Sequence, residues 1–198
     1  DFTLRKAVPA AGLDNEYGEG ILTGKASGHG FNAGLFYRLT DEVSLGLSYR
    51  SSIKIKEDAG TADFSVPSSL EEFFPSTEFS TSIKLPQTAN FGVGYQANKK
   101  TTLAFDINFV GWSSYDSLVF DFKENTDKLE DIHSPRMYKD VFIFRVGAEY
   151  RANDTYTVRA GAYYDMDPVK DDFITPETPG QKKIGFTAGA SFHISKHF

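Results

Sequence analysis

The sequence has no cysteine, one tryptophan, four histidines and no long hydrophobic run. Without cysteine, neither a disulfide framework nor a thiolate metal site can form. The histidines fall in different predicted elements and lack the spacing of metal ligands. Apolar runs stay short, and Val141–Phe144 is typical of the longest. A transmembrane helix, which needs about 18 or more apolar residues, is therefore excluded.

A basic excess is also missing, because the 198 residues carry a net charge of −6. A nucleic-acid partner calls for a basic stripe, so this class of partner is excluded. No nucleophile elbow or comparable catalytic motif is present. We therefore predict a protein that is not an enzyme, has no catalytic residue and needs no cofactor.

An acidic cluster in a proline-broken segment has two interpretations. Such loops can supply the oxygen ligands of a calcium ion. More often, an acidic loop interrupted by proline is simply solvated, and we predict no metal site here. The four carboxylates are those of Asp165, Asp167, Asp171 and Asp172.

Aromatic residues, by contrast, are abundant, with 18 Phe and 10 Tyr, and many stand in alternating patterns. Val141–Arg151 and Thr155–Asp165 alternate between apolar and polar or small residues on either side of a turn at 152–154. This pattern predicts an antiparallel β-hairpin. Each strand is close in length to the ~9–11 residues with which tilted strands cross a bilayer.

The same alternation recurs along residues 29–198 and predicts about seven strands of an all-β, antiparallel transmembrane β-barrel. Residues 1–28 are Gly-rich and are predicted to form a lead-in loop. In an up-and-down barrel, connections of alternating length place every tight turn at one end and every long loop at the other. The short turns are predicted at 40–42, 97–100, 152–154 and 195–197, and the long extracellular loops at 57–82, 123–140 and 166–183.

Three local features refine this prediction. The segment Ser68–Phe74, in the first long loop, has a serine cap and early acidic residues that predict one or two helical turns. The alternation changes phase at Gly111–Trp112, which predicts a β-bulge in a strand that continues to Phe122. The second strand is predicted to run from Val43 to about Ile55.

A Gly-x-x-Tyr pattern, with one Phe variant, recurs near the strand ends. The odd spacing puts the glycine and the aromatic residue on opposite faces of a strand. The aromatic residues fall at the short-turn end of some strands and at the long-loop end of others, which predicts two aromatic girdles, one per membrane interface. The predicted girdle residues are Tyr37, Tyr49, Tyr95, Tyr150, Tyr164 and Phe192.

Two sets of residues have both a structural and a ligand-binding interpretation. The inward-facing Arg145 and Arg159 either pair with acidic residues across the strands or form a clamp for a carboxylate-bearing ligand. Leu70, Phe73 and Phe74 form either the packing face of their own loop or an apolar ligand groove. For the whole chain, a soluble β-sandwich would explain the alternation, but it would not explain the segregated loop lengths or the two girdles.

Six segments together resemble the long-chain fatty-acid transporter family of bacterial outer membranes (FadL/OmpP1/TodX). In chain order they are Phe31–Tyr37, Gly46–Lys54, Leu85–Pro86, Gly111–Tyr115, Gly147–Tyr150 and Arg159–Val169. The resemblance covers about residues 25–198 and looks like the C-terminal half of a family member. It implies a fourteen-stranded barrel, plugged by an N-terminal hatch, through which long-chain fatty acids or other hydrophobic compounds diffuse.

The resemblance also implies a ligand site and a set of partners. A basic residue after the Trp-bearing strand, either Arg136 or Lys128, is expected near the head group of the ligand. The hatch residues of the family have no match in this sequence and cannot be carried over. Membrane lipid and lipopolysaccharide are the expected surroundings, and an outer-membrane complex would add protein partners.

The expected function is therefore that of an outer-membrane channel for the uptake of long-chain fatty acids or other hydrophobic compounds by diffusion. The alternative is a FadL-like barrel that has lost transport and serves as a structural or accessory subunit of an outer-membrane complex. Seven strands leave two unpaired edges, which hydrocarbon does not tolerate. We therefore interpret the sequence as a fragment, or as a subunit completed by other strands.

Overall fold

The computed structural model describes residues 1–9, 17–175 and 180–193 of the chain. Within these ranges it has thirteen strands and three 3-10 turns, the latter at Ser68–Phe73, Trp112–Ser114 and Asp171–Phe173. No helix in these ranges is long and apolar enough to cross a membrane. The strands are β1 (Phe2–Pro9), β2 (Tyr17–Gly24), β3 (Asn32–Arg38), β4 (Val43–Arg50), β5 (Ile53–Ser65), β6 (Thr77–Leu85), β7 (Thr88–Asn98), β8 (Thr101–Val110), β9 (Ser117–Phe122), β10 (Ile132–Pro135), β11 (Val141–Arg151), β12 (Tyr156–Asp165) and β13 (Lys183–Phe192).

The chain divides into two compact units, each built on one antiparallel sheet. The first unit consists of Asp1–His29, Ile53–Leu85 and Tyr115–Arg136. The second consists of Gly30–Ser52, Pro86–Ser114 and the chain from Met137 onward. Each unit is therefore assembled from separate stretches of the sequence.

The sheet of the second unit contains the strands that alternation predicted. Its seven strands follow the order β13-β12-β11-β8-β7-β4-β3. The register places like side chains opposite each other across the sheet, so that Leu47 faces Phe91 and Ile107 faces Phe144. Because successive residues of a strand point to opposite faces, one face of this sheet is apolar across its whole width.

This apolar face is exposed, unlike the buried face of a soluble sheet. Val146 and Phe186 retain 56% and 83% of their accessible surface. The opposite face carries glycine and charged residues, such as the neighbours Gly92, Asp106 and Arg145. A large exposed apolar patch marks contact with an apolar environment, and this division of faces is the one found in the wall of a membrane barrel.

Three short turns, between β3 and β4, β7 and β8, and β11 and β12, lie at one end of this sheet. Side-chain oxygens hold them: the Oδ1 atom of Asn98 accepts a hydrogen bond from the backbone N–H of Thr101 at 3.0 Å, and that of Asn153 accepts one from Tyr156 at 2.8 Å. The longer connections leave from the other end, so the predicted segregation is confirmed for these strands. The turn predicted at 195–197 lies outside the described residues.

The sheet of the first unit has six strands in the order β1-β2-β5-β6-β9-β10, and it buries a core of its own. Phe79 and Phe122 are only 1% and 4% exposed. The Phe79 ring contacts the rings of Phe120 and Phe122, with centroids 5.8 and 6.4 Å away. The other buried members of this core are Leu22, Ala62 and Leu129.

Three segments that were predicted to be loops contain these strands, so their predicted loop character is wrong. The lead-in segment 1–28 forms β1 and β2, the segment 57–82 contains most of β5 and β6, and the segment 123–140 contains β10. The glycines of the lead-in segment were interpreted as a sign of a loop, but in the structure they allow neighbouring strands to pack closely. A Cβ atom at Gly20 would lie 3.1 Å from the Phe64 ring of the neighbouring strand β5. The last long segment, 166–183, contains a 3-10 turn, and its residues 176–179 lie outside the described ranges.

Two strands are shorter than predicted because the chain passes from one sheet to the other. The strand that starts at Val43 ends at Arg50 instead of Ile55, and Ile53 already belongs to the first unit. The predicted bulge at Gly111–Trp112 is instead the end of β8, followed by the 3-10 turn Trp112–Ser114. The change of phase in the sequence therefore marks the passage between two sheets.

The helical turn predicted near Ser68 forms, but it is a 3-10 turn without the expected serine cap. Pro67 holds the N-cap position, where no side-chain hydrogen bond is made. The backbone N–H of Leu70 donates to the carbonyl oxygen of Pro67 at 2.8 Å. This tight i to i+3 bond needs no capping side chain.

Candidate functional site

An apolar pocket of about 440 Å³ opens in the first unit, and we name it the Leu70–Lys128 pocket. Aromatic rings form much of its wall: the Phe64 ring lies with its centroid 5.6 Å from that of Phe74 and 6.4 Å from that of Phe122. The charged residues along it are Lys6, Lys128 and Glu130, all exposed. An apolar cavity with a few charged groups beside it is the usual form of a small-molecule site. Its apolar side chains are those of Ala7, Val8, Leu22, Phe64, Leu70, Phe74, Phe122, Leu129 and Ile132.

The loop after β9 positions Lys128 beside this pocket. The hydroxyl of Thr126 donates to the carbonyl oxygen of Phe73 at 2.6 Å and accepts from the backbone N–H of Leu129 at 3.0 Å. Leu129 is buried, whereas the Nζ atom of Lys128 lies 5.0 Å from the centroid of the Phe73 ring. This cation–π contact holds a positive charge beside the apolar wall.

The structure places the predicted ligand residues in three locations: at the pocket, elsewhere in the first unit, and in the second unit. Leu70 and Phe74 line the pocket, and Phe73 holds Lys128 beside it. Arg136 is not among the lining residues. It is buried in the first unit, 4% exposed, and its backbone N–H donates to the carbonyl oxygen of Asp116 at 2.7 Å. Of the two basic residues implied by the resemblance, Lys128 is therefore the one at the pocket.

Arg145 and Arg159 lie in the second unit, where they line a groove of about 750 Å³ on the polar face of the sheet. Each is paired with the acidic residue directly opposite it on the neighbouring strand. The Nη1 atom of Arg145 lies 2.9 Å from a carboxylate oxygen of Asp106, and the Nε atom of Arg159 lies 2.6 Å from one of Glu149. This geometry matches the cross-strand interpretation, and the charges of the two pairs cancel.

Glycines leave the floor of this polar face open. A Cβ atom built at Gly46 or Gly189 would meet nothing within 4 Å. At Gly34 and Gly147, the nearest atom would be a backbone oxygen 3.5 and 3.8 Å away. These four glycines therefore leave gaps in the floor from which the ion pairs project, whereas at Gly185 the ring of Tyr163 fills the space.

The six predicted girdle residues are on the exposed apolar face, in two rows. Tyr156, next to the short turn after β11, packs on Phe192 with ring centroids 5.1 Å apart. At the other end, the hydroxyl of Tyr49 donates to the side-chain oxygen of Gln87 at 2.8 Å. On β12, Tyr156 and Tyr164 are eight residues apart, or about 27 Å along the strand. That span corresponds to roughly 20 Å across the membrane after a tilt near 40°. The exposed side chains are those of Tyr37, Tyr49, Tyr95, Tyr150, Tyr164 and Phe192.

The sequence reasoning missed most of the pocket wall. Leu22 and Val8 lie in the segment that was predicted to be a loop, and Phe64 lies in the first long loop. A signal was present, since Ala62 and Phe64 alternate with polar residues in the way that strands do. The pairing of that run with β2, about 40 residues earlier in the chain, has no local signature.

An antiparallel sheet with an outward apolar face, aromatic rows at both ends and a polar, glycine-lined inner face defines part of a transmembrane β-barrel. The sequence profile described as "Outer membrane protein transport protein (OMPP1/FadL/TodX)" matches residues 5–198. The chain therefore belongs to this family of bacterial outer-membrane proteins.

Individual relatives are distant. The chain is 23% identical over 198 residues to the long-chain fatty acid transport protein of Escherichia coli K12, with 96% of this chain and 44% of the relative covered. It is 23% identical over 184 residues to the 47 kDa outer membrane protein of Pasteurella multocida, with 88% and 42% covered. The chain thus spans less than half the length of these curated relatives.

Solved structures share the fold. The crystal structure of a Pseudomonas aeruginosa FadL homologue superposes with a TM-score of 0.77 at 21% identity, covering 98% of this chain and 49% of that one. The toluene transporter TbuX of Ralstonia pickettii gives a TM-score of 0.60 at 23% identity, covering 90% and 43%.

Proposed function

We propose that the complete protein takes up hydrophobic compounds with an acidic head group, such as long-chain fatty acids, by diffusion through the outer membrane. The observation that carries this proposal is the Leu70–Lys128 pocket, where an aromatic wall lies next to an exposed lysine. The wall accepts a hydrocarbon chain, because burial of apolar surface contributes about 25 cal/mol per Å². Lys128 provides an ion-pair partner for the carboxylate of the ligand. Without such a partner, moving the carboxylate out of water would be costly.

The groove on the polar face of the second unit is better suited to the passage of a solute than to tight binding of a ligand. Arg145 and Arg159 are each neutralised by an acidic residue on the next strand. A carboxylate that reached them would compete with Asp106 or Glu149 instead of finding a free guanidinium group. A conduction path works when its sites bind weakly enough to release the solute. The hypothesis that these arginines clamp a carboxylate is therefore weaker than the hypothesis that the ligand binds in the Leu70–Lys128 pocket.

The test compares a fatty acid with the neutral alcohol of the same chain length, using the full-length protein in detergent and a fluorescent displacement assay. Lys128→Ala should weaken binding of the acid about fivefold, as expected for an exposed ion pair of favourable geometry, and should leave binding of the alcohol unchanged. Phe74→Ala should weaken binding of both. The matched control is Lys123→Ala, which removes an exposed lysine of the same loop that pairs with Glu78.

Two results would contradict the proposal. One is an equal loss of acid and alcohol binding in Lys128→Ala, and the other is an effect of Lys123→Ala as large as that of Lys128→Ala.

The accessory-subunit alternative is the weaker hypothesis, since the relatives named above include a transport protein and a toluene transporter.

A further inference from the structure

Tyr163 is the one aromatic side chain among the described residues that line the groove on the polar face of the second unit. It lies on β12 and points to the same face as Arg159, four residues earlier in the strand. Tyr163 is 36% exposed, so a solute in the groove can reach its ring. This ring has no part in the Leu70–Lys128 pocket.

The register of the sheet fixes the neighbours of this ring. Tyr163 lies opposite Arg145 of β11 on one side and opposite Gly185 of β13 on the other. The ring leans over β13, because a Cβ atom at Gly185 would overlap the ring carbons Cε1 and Cζ and would lie 2.6 Å from the hydroxyl oxygen. A Cβ atom at Gly46 or Gly189, on the same face, would meet nothing within 4 Å. The space of the missing side chain is therefore occupied by the ring at Gly185 and is open at the other two glycines.

The ring has no second place to lie flat on this face. On its other side stands Arg145, whose Nη1 atom lies 2.9 Å from a carboxylate oxygen of Asp106. Side chains of a strand otherwise stand roughly perpendicular to the sheet, and such a rotamer would direct the Tyr163 ring into the groove. A Cβ atom at position 185 would meet only the far end of this rotatable side chain. The ring would therefore move, and the backbone would stay in place.

We propose that Tyr163, kept flat by Gly185, sets the width of the groove and therefore the largest solute that passes through it. This inference rests on the proposed function, because it takes the groove as the path of the solute. A flat ring leaves the groove its volume of about 750 Å³, whereas an upright ring would fill part of it. The ring restricts space and carries no charge, so it discriminates by the bulk of the solute, whereas Lys128 discriminates by the charge of the head group.

The test measures the uptake of two fatty acids by bacterial cells that lack their own fatty-acid transporter and carry the full-length protein. One acid has a straight chain, and the other carries a pyrene ring at the end of its chain. Gly185→Ala should slow uptake of the pyrene acid about tenfold, because the displaced Tyr163 ring fills space that this solute needs. Uptake of the straight-chain acid should slow less. The matched control is Gly46→Ala, which adds the same methyl group to the same face outside the residues that line the groove, and it should leave both rates unchanged.

Removing the ring should reverse the effect of the added methyl group. Tyr163→Ala should take up the pyrene acid at least as fast as the wild type, and the double variant Gly185→Ala, Tyr163→Ala should match Tyr163→Ala. All rates are divided by the amount of protein in the outer membrane, and the unfolding midpoint of each variant is measured in detergent. If Tyr163 only covers Gly185 to stabilise the sheet, Gly185→Ala will lower the unfolding midpoint and slow both acids equally, and the second substitution will restore neither rate.

The outcomes separate this inference from the proposed function. Unchanged uptake of the pyrene acid in Gly185→Ala would overturn the inference alone, and so would a double variant that is as slow as Gly185→Ala. A wild-type protein that takes up neither acid would overturn the proposed function together with the inference.

Discussion

Val146 lies halfway between the two aromatic rows on the exposed face of β11, four residues from both Phe142 and Tyr150. Each interval is about 13 Å along the strand. If this face meets lipid, Val146 is close to the midplane of the bilayer. A lysine there should cost about 2–4 kcal/mol, which is roughly 30- to 1,000-fold in the folding equilibrium. Val146 is 56% exposed and faces Phe105 and Ala162 on the adjacent strands.

The assay is reversible denaturant unfolding of the full-length protein in lipid vesicles, with folding followed by tryptophan fluorescence. Gly147→Lys is the matched control, since the next residue of the strand points to the polar groove, where the nearest atom to a Cβ would be the carbonyl oxygen of Ala160 at an ordinary contact distance of 3.8 Å. Val146→Leu should change stability little. A cost below about 0.5 kcal/mol for Val146→Lys, or an equal cost for Gly147→Lys, would refute the assignment of the two faces.

Two further predictions concern stability. Phe79→Ala should destabilise the first unit by about 3–5 kcal/mol, because Phe79 is 1% exposed and packs on two other rings; proteolysis that remains as slow as in the wild type would contradict this. A double-mutant cycle of Arg145→Ala and Asp106→Ala should give a coupling energy of about 1 kcal/mol or less, since both side chains are partly exposed. A much larger value from the same vesicle unfolding assay would mean that the pair is buried in the complete protein.

The membrane-type sheet could be predicted from sequence because its signal is local. Phe142, Phe144 and Val146 alternate with polar or small residues, and the short turns fix which strands are neighbours. Across the short turn between β11 and β12, register then follows from turn length, and it places Arg159 directly opposite Glu149. The cross-strand interpretation of Arg159 needed no information beyond this pattern.

The first unit could not be predicted in the same way, for two physical reasons. Its core joins side chains that are distant in sequence, such as Leu22, Phe79 and Phe122, and no local pattern reports such pairings. The bulge after Glu57 also breaks the alternation of β5. At Met137, where the second unit resumes, the backbone adopts a left-handed φ of 49°, a conformation that a methionine in the sequence does not signal.

The nearly continuous register of the seven-stranded sheet has an evolutionary consequence. Among its strand pairs, only β7 with β8 shows a shift, between Gln96 and Asn98 near a turn. Elsewhere, deleting one residue within a strand would exchange its lipid-facing and inward-facing side chains from that point on. Changes of chain length should therefore accumulate in the segments between β4 and β7, β8 and β11, and β12 and β13. The pocket-bearing unit is built largely from two of these segments, so under the proposed function the specificity for ligands can diverge while the membrane wall keeps its length.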